Sequence, residues 1–155
     1  MIVIDMTQGI SLPILYLTDF GGIVFDKIEI NDTKYYIIHV TTLKPIDIEQ
    51  FIKELCGAIF EVLKSVTREF RKDFRSWKDV VLLSGRIPMV IIPCLIYNVA
   101  MELFYSDIKP YYVYIFDPKL RKACNYNTCI EIPEEIVSKL ISEYDEIVKQ
   151  RHSMQ

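Results

Sequence analysis

The sequence predicts an α/β fold in which an N-terminal β-hairpin and a long helix are combined with a parallel βαβ core. A chain of 155 residues, 51% of them apolar, falls in the size range of one domain that can fill a core. Apolar side chains recur at every second position in the first third of the chain and at helical spacing later. We therefore expect residues 1–155 to form one α/β domain with a sheet flanked by helices.

The N-terminal third is predicted to contain a β-hairpin. Residues 23–30 alternate apolar and polar side chains, and residues 34–41 form a second strand-like run. Asn31 and Asp32 lie between the two runs and favour a tight turn. Residues 23–30 and 34–41 are therefore predicted to be the two strands of a hairpin.

A long amphipathic helix follows, with Asp47 as its predicted N-cap. Its apolar stripe recurs at helical spacing and contains Ile48, Phe51, Ile52, Leu55, Ile59, Val62, Leu63 and Val66. Residues 67–79 interleave basic and aromatic side chains. Two interpretations of this tail stay open: a solvated helix end with its aromatics packed inward, or a basic aromatic surface that stacks adenine or contacts a nucleic-acid backbone.

The corner after the predicted strand 80–84 is the first candidate binding site. In a βαβ unit this turn lies at the carboxyl edge of the sheet, next to the free amides of the following helix. The hydroxyl of Ser84, the missing side chain of Gly85 and the guanidinium of Arg86 suit a phosphate group. The alternative is a tight turn with a surface arginine.

The rest of the C-terminal half supplies the other core elements. A helix is predicted over residues 88–105 with a kink at Pro93, and a buried strand over residues 111–117 that ends at Pro118. A polar loop follows, and a last helix begins at Pro133.

The cysteines and histidines carry weaker signals. Cys124 and Cys129 lie in a polar stretch and can form a disulfide or hold a metal, although no histidine cluster supports a zinc site. His39 lies on a strand, where we expect it to be packed and hydrogen-bonded, and His152 lies in a tail that we expect to fray. We expect neither histidine to form a triad with a nucleophile. Tyr126, between two asparagines in a loop, suits recognition of a base.

Charge and composition limit the partners. A formal net charge of -3 with a pI near 5.4 indicates no binding of duplex DNA, so any phosphate site must be local or assembled between subunits. We find no signal peptide and no apolar run long enough to span a membrane, and we expect a cytoplasmic protein. Many Ile, Tyr and Lys residues with few Gly are typical of thermophiles.

Three segments, "YYIIHVTTLKPIDIEQF", "VVLLSGRIP" and "YYVYIFDPKL", resemble the Csx-three family, also called CRISPR ring nuclease three. The resemblance covers about residues 35–52 and 80–121, and residues 53–79 look like an insertion. It implies a fold of the CRISPR-associated Rossmann (CARF) group, and dimers that can stack further. It also implies binding of cyclic tetra-adenylate, the messenger of type III CRISPR defence, which several members cleave with manganese.

The resemblance also implies roles for particular residues. The ligand corner would consist of Ser84, Gly85, Arg86 and Pro88. Asp117 would contribute to catalysis, with Lys119 where the family usually has arginine. The family's histidines in the stretches before and after the Asp-Pro strand are absent from this sequence, so we expect no cofactor and no cleavage by the usual manganese route. The alternative role for Asp117 is to cap its strand at an Asp-Pro turn.

Three functions therefore stay open. The first is a dimer that binds cyclic tetra-adenylate or a short oligoadenylate. The second is a metal-independent ring nuclease in which Arg86 and Lys119 stabilise charge while a ribose hydroxyl attacks its own phosphate. The third is a non-catalytic interaction subunit that docks on a CRISPR ribonucleoprotein through residues 53–79.

Overall fold

The structure is a computed structural model, and it describes residues 13–45, 47–55, 57, 79–87 and 113–154. Within these ranges the chain forms one seven-stranded sheet whose strands lie side by side in chain order. The strands are β1 (Ile14–Leu17), β2 (Gly21–Ile30), β3 (Thr33–Thr42), β4 (Val80–Gly85), β5 (Val113–Asp117), β6 (Lys122–Cys124) and β7 (Cys129–Glu131). The described helices are α1, which covers 48–55 and 57, and the C-terminal helix, which consists of α2 (Glu134–Ser138), a π-helical turn (Lys139–Glu143) and α3 (Tyr144–Ser153).

The centre of the sheet is parallel and both of its sides are antiparallel. Strands β3, β4 and β5 run in the same direction, whereas β1 and β2 precede them and β6 and β7 follow them as antiparallel additions. Parallel neighbours require crossover connections, which suits an α/β protein. The predicted α/β class and parallel core are confirmed, and the mixed sheet with flanking helices is consistent with a Rossmann-like fold.

The predicted N-terminal hairpin is confirmed by β2 and β3. Ile30 pairs with Thr33, so Asn31 and Asp32 are the two residues of the turn. Both have positive φ, 52° and 71°. A two-residue turn with positive φ at both positions matches the right-handed twist of the strands, and Asn and Asp tolerate this conformation better than most residues.

Helix α1 begins as predicted, but its buried apolar stripe starts one turn later than predicted. The carboxylate of Asp47 accepts the Gln50 amide at 3.3 Å, and its carbonyl accepts the Phe51 amide at 2.8 Å. Phe51 and Leu55 are buried, with the Phe51 ring packed on Phe20. Ile48 was expected in the same stripe but is 53% exposed. It lies in the first turn, and burial begins with Phe51 in the second.

Several predicted features lie outside the described residues. They are the continuation of α1 beyond residue 57, most of the basic aromatic tail, the helix over 88–105 with Pro88 and the Pro93 kink, and the docking segment over 53–79 apart from residues 53–55, 57 and 79. Cys56 and Cys94 lie outside as well.

The stretch predicted to be a polar loop after β5 contains a short hairpin instead. Strands β6 and β7 are three residues each, too short for an alternating pattern to stand out in the sequence. Cys124 and Cys129 are cross-strand partners in this hairpin and are joined by a disulfide. Of the two interpretations of this cysteine pair, the structure therefore bears out the disulfide.

The C-terminal helix covers one face of the sheet. It begins after Pro133, as predicted, and the carbonyl of Pro133 accepts the amides of Ile136 and Val137. The core on this face is built from buried residues of the sheet and the helix, among them Val24, Tyr35, Ile37, Leu82, Phe116, Ile136, Leu140, Tyr144 and Val148. None of the helices in the described ranges is long and apolar enough to cross a membrane.

The helix-covered face of β3 changes from apolar to polar along the strand. Alternation places Tyr35, Ile37, His39 and Thr41 on this face, and Tyr35 and Ile37 belong to its apolar core. His39 and Thr41 are also buried but polar. Burial of polar groups requires hydrogen-bond partners, so a polar site is built into the core near the carboxyl end of β3.

Candidate functional site

The carboxyl ends of the three parallel strands meet at one edge of the sheet. Val40 of β3 pairs with Gly85 of β4, and Leu83 of β4 pairs with Ile115 of β5. Gly85 lies two residues beyond Leu83, and Asp117 lies two residues beyond Ile115, so both strands end at the same level. The structure thus brings two sequence-predicted segments, Gly85-Arg86 and Asp117-Pro118-Lys119, to one edge.

Gly85 has the conformation and the surroundings that require a glycine. Its φ is +92°, which side-chain-bearing residues rarely adopt. A Cβ placed on Gly85 would lie 1.9 Å from the carbonyl oxygen of Val40, and the Arg86 amide donates to that same oxygen at 3.2 Å. Gly85 and Arg86 are both exposed. The corner therefore has tightly fixed backbone and presents a cation at the surface.

Ser84 differs from the sequence-based expectation. Its hydroxyl was expected to face a ligand, but the residue is only 1% exposed, and Oγ is hydrogen-bonded to Nδ1 of His39. Ser84 and His39 are direct partners across β4 and β3, so the two side chains leave the sheet on the same face. The Ser84 hydroxyl is therefore engaged beneath the corner, on the side that the C-terminal helix covers.

His39 connects Ser84 to the C-terminal helix. Its Nε2 lies 2.8 Å from Oδ1 of Asp145, and the Thr41 hydroxyl donates to the same oxygen at 2.6 Å. His39 is 1% exposed, and both of its ring nitrogens have partners, which confirms that it is packed and hydrogen-bonded. We expected neither histidine to join a triad, and for His39 this expectation is wrong as far as the contacts go. His39 lies between the Ser84 hydroxyl and the Asp145 carboxylate and contacts both. We call these four residues, Ser84, His39, Asp145 and Thr41, the corner network.

Asp145 remains a carboxylate in this network. Burial by itself raises the pKa of Asp145, but hydrogen bonds from His39 and Thr41 outweigh it and hold that pKa below its ordinary value. The side chain is 36% exposed, so water reaches the outer side of the network. Sequence reasoning missed Asp145, which lies 106 positions from His39 and looks like one more acid on an amphipathic helix.

A second buried polar contact lies beside the first. The hydroxyl of Tyr144 donates to Oδ2 of Asp26 at 2.7 Å, and the Tyr144 ring lies 5.6 Å from the His39 ring, centroid to centroid. Burial and the neighbouring Asp26 carboxylate raise the pKa of Tyr144, so its hydroxyl keeps its hydrogen. The two contacts fix α3 against β2 and β3.

Asp117 acts as a turn cap in this structure. Its Oδ1 accepts the amides of Lys119 at 2.8 Å and Leu120 at 3.3 Å, which is the capping role weighed from the sequence. Lys119 is exposed. Across the described ranges no three His, Cys, Asp or Glu residues are grouped so that they could hold a metal ion.

Tyr126 is exposed but lies away from the corner. It is 77% exposed at the tip of the β6–β7 hairpin, where Oδ1 of Asn125 accepts the amides of Asn127 and Thr128. Strand β6 begins opposite Asp117 and runs back along β5, so the tip points toward the opposite edge of the sheet. Within one chain, Tyr126 does not join Gly85 and Arg86.

The predicted fraying of the tail around His152 is wrong. Helix α3 continues to Ser153, and His152 is half-buried with Nε2 at 3.0 Å from the carbonyl oxygen of Thr18. This contact places the end of the helix against the turn between β1 and β2.

Fold and site together define an α/β protein with a mixed sheet and a basic corner at the carboxyl edge of its parallel strands. No protein-family model matches the chain, and neither a curated protein nor a solved structure matches it. A fold of this class hosts many functions, so function has to be argued from the site itself.

Proposed function

We propose that this chain binds cyclic tetra-adenylate, or a short oligoadenylate, at the carboxyl edge of its parallel strands. The observation that carries the proposal is the position of Gly85-Arg86, exposed at the end of the middle parallel strand and next to Asp117-Pro118-Lys119 at the end of β5. In open α/β sheets, ligands bind outside the carboxyl ends of the strands. The resemblance of these same two segments to the Csx-three family supports an adenylate as the ligand.

The chemistry of the edge suits a phosphodiester. Gly85 carries no side chain, so a phosphate can approach the backbone closely. The guanidinium of Arg86 can donate two parallel hydrogen bonds to phosphate oxygens, whereas the ammonium of Lys119 acts as a single positive charge. A local pair of cations is what an acidic chain of net charge -3 needs for an anionic ligand.

The biological setting follows from the same resemblance. We propose a CARF-like homodimer in the cytoplasm that takes part in type III CRISPR antiviral defence, with further stacking of dimers. A two-fold dimer offers the same corner to each half of a symmetric ring, which doubles the phosphate contacts without any new residue. Tyr126, at the far edge of one chain, would then contact a base only across a subunit boundary.

A second candidate function is metal-independent cleavage of the ring. The exposure of both Arg86 and Lys119 at one edge favours it, because two cations can stabilise the charge that develops when a ribose hydroxyl attacks the adjacent phosphate. The turn that Asp117 caps would hold Lys119 in place. This route needs alignment and charge stabilisation and no histidine.

Binding and cleavage can be tested together with labelled cyclic tetra-adenylate, in chelator and with manganese. We expect wild-type protein to bind, and Arg86→Ala to bind about 10- to 100-fold more weakly, because a charge-assisted bidentate contact is lost. Arg86→Lys should recover only part of this loss. Lys139→Ala is the matched control, since it removes one exposed cation from the C-terminal helix.

The outcomes separate the two candidates. Binding of an intact ring in every buffer indicates a receptor or a sponge for the messenger. Product formed in chelator, and lost in Arg86→Ala, indicates the metal-independent nuclease. Absence of binding by wild-type protein contradicts both.

A further inference from the structure

The disulfide between Cys124 and Cys129 closes the β6–β7 hairpin directly below its exposed loop. We call residues 125–128 the tip loop; Tyr126 in this loop is 77% exposed. The side chain and the amide of Asn125 hold the loop through hydrogen bonds of 2.9 to 3.1 Å. The disulfide and these hydrogen bonds together present Tyr126 in one arrangement.

The sulfur atoms lie on the face of the sheet that the C-terminal helix does not cover. Ala123 belongs to the core under that helix, and alternation along β6 turns Cys124 to the opposite face. Cys129 is the direct partner of Cys124 and projects to the same face. Cys129 is exposed and Cys124 is half-buried. A reagent in the solvent therefore reaches the disulfide without any movement of the helix.

The two ends of the disulfide are shielded differently. The bond crosses from β6 to β7, and a thiolate displaces a sulfur by approaching along the line of the bond that breaks. On the β6 side that line runs toward β5, where Ile115 is the direct partner of Cys124 and projects to the same face. On the β7 side, no strand of the described ranges lies beyond Cys129. An incoming thiolate is therefore directed to Sγ of Cys129.

The disulfide fastens the tip loop more than it fastens the sheet. Ile130 packs against the core and pairs with Ala123, so β7 is attached at its middle without the sulfur atoms. Lys122 and Glu131 add an ion pair at 3.4 Å at the far end of the hairpin. Strands of three residues have little pairing of their own, so the end that carries the loop depends on the disulfide. Segments of this kind open locally while the rest of a fold persists.

The redox setting decides what such a disulfide does. In reducing compartments disulfides are usually transient or redox-sensing, with hyperthermophiles as the exception, in which they persist as structural links. Exposed disulfides belong to the labile class, because a thiolate can reach them. In the cytoplasmic setting proposed above, this disulfide would meet thiol and dithiol reductants.

We propose that Cys124–Cys129 is a thiol-exchange site, at which a dithiol attacks Sγ of Cys129 in the folded protein and thereby releases the tip loop with Tyr126. The attacking sulfur bonds to Sγ of Cys129, and the electron pair of the broken bond leaves with Sγ of Cys124, which takes up a proton. The second thiol of the reagent then displaces the Cys129 sulfur, which also takes up a proton. The dithiol is oxidised to a disulfide, and the two cysteines gain two electrons and two protons.

Reduction of the oxidised full chain by dithiothreitol tests whether exchange occurs in the folded state. Free thiols are alkylated at intervals, and the tryptic peptide 123–139 reports on this disulfide without Cys56 or Cys94. We expect the rate of reduction to change by less than about twofold up to about 1 M urea, because access to the disulfide needs no unfolding. A rise of at least about fivefold over that range, which is the response of global unfolding, would overturn the proposal. Resistance of the folded protein to dithiothreitol would overturn it as well.

Hydrogen exchange of the oxidised and the reduced protein tests the release of the loop. Amides of the tip loop should exchange at least about tenfold faster after reduction, whereas amides of β3 and β4 should not change. The double variant Cys124→Ser, Cys129→Ser is the matched control: it should exchange like reduced wild-type protein and should not respond to dithiothreitol. Equal exchange of the tip loop before and after reduction would overturn its release. Faster exchange throughout the sheet would overturn it too, because the disulfide would then hold the whole fold.

Glutathione, a monothiol, identifies the sulfur that is attacked. It forms a mixed disulfide with one cysteine, and rapid alkylation of the other cysteine traps that state. Fragmentation of the peptide 123–139 between the two cysteines locates both groups. We expect glutathione on Cys129 and the alkyl group on Cys124. The reverse arrangement would overturn the proposed direction of attack.

Discussion

At Gly85 a single residue sets the shape of the corner. Replacement by alanine would place a Cβ at 1.9 Å from a backbone oxygen and hold a side-chain-bearing residue at φ +92°. We expect Gly85→Ala to lower the free energy of unfolding by at least about 2 kcal/mol, because neither the backbone of Val40 nor the strand end can move freely. Chemical denaturation measures the change.

Gly57 provides the matched control for this substitution. It lies in α1 with no atom within 4 Å of an added Cβ. Gly57→Ala should raise the free energy of unfolding by up to about 1 kcal/mol, since alanine is the better helix former. Equal effects of the two substitutions would contradict the account of the corner.

Asp145 should make stability depend on pH on the acid side. Its pKa is held below the ordinary value, so the stability it contributes is present above the unfolded-state pKa of about 3.9 and is lost as pH falls through the lower folded-state pKa. We expect Asp145→Asn to cost about 1 kcal/mol at neutral pH, because the network is partly open to water. The variant should also lose part of the acid-side slope in denaturation curves recorded from pH 3 to pH 7, a range chosen around that pKa. An unchanged slope would show that the carboxylate contributes nothing.

At the scale of elements, the β6–β7 hairpin is two three-residue strands and a disulfide. So short a hairpin has little packing of its own, and closing a small loop by a disulfide stabilises it by about 2 kcal/mol. We expect Cys129→Ser to lower the free energy of unfolding by up to this amount. A reductant should bring wild-type protein to the level of the variant and leave the variant unchanged. If the reductant lowers the free energy of unfolding equally in both proteins, the group that it reduces is not the Cys124–Cys129 disulfide.

Elements differ in how far local sequence determines them. Asn31-Asp32 between two alternating runs was sufficient to predict β2, β3 and their turn, because the turn chemistry is local. The N-cap of α1 at Asp47 and the start of the C-terminal helix after Pro133 could be predicted for the same reason. The hairpin of β6 and β7 was not, since three-residue strands show no period and are formed by pairing with β5.

At the scale of the whole molecule, the site was only partly predictable. The segment around Arg86 was found from the sequence, because a strand followed by small and charged residues marks the carboxyl edge of a parallel sheet. Asp117 was singled out only by the resemblance to the Csx-three family. The burial of Ser84 could not be predicted from the sequence, since it depends on which face of β4 the C-terminal helix covers. The partnership of His39 with Asp145 joins positions 106 apart and leaves no local pattern.

The assembled molecule thus couples an exposed corner to a buried network. The corner offers backbone and cations to an anion, while the network below it ties β3 and β4 to α3. A polar network that is satisfied in this way favours one arrangement of the elements over its alternatives. Gly85 and Arg86 are therefore presented on a strand end that is fixed from below.

Equilibrium binding of cyclic tetra-adenylate to wild-type protein, Arg86→Ala and Lys139→Ala tests the central claim most directly. We expect saturable binding by wild-type protein and by Lys139→Ala, with a loss of about 10- to 100-fold in Arg86→Ala. Equal binding by all three proteins would place the ligand elsewhere on the molecule. No binding by wild-type protein would contradict the adenylate function itself.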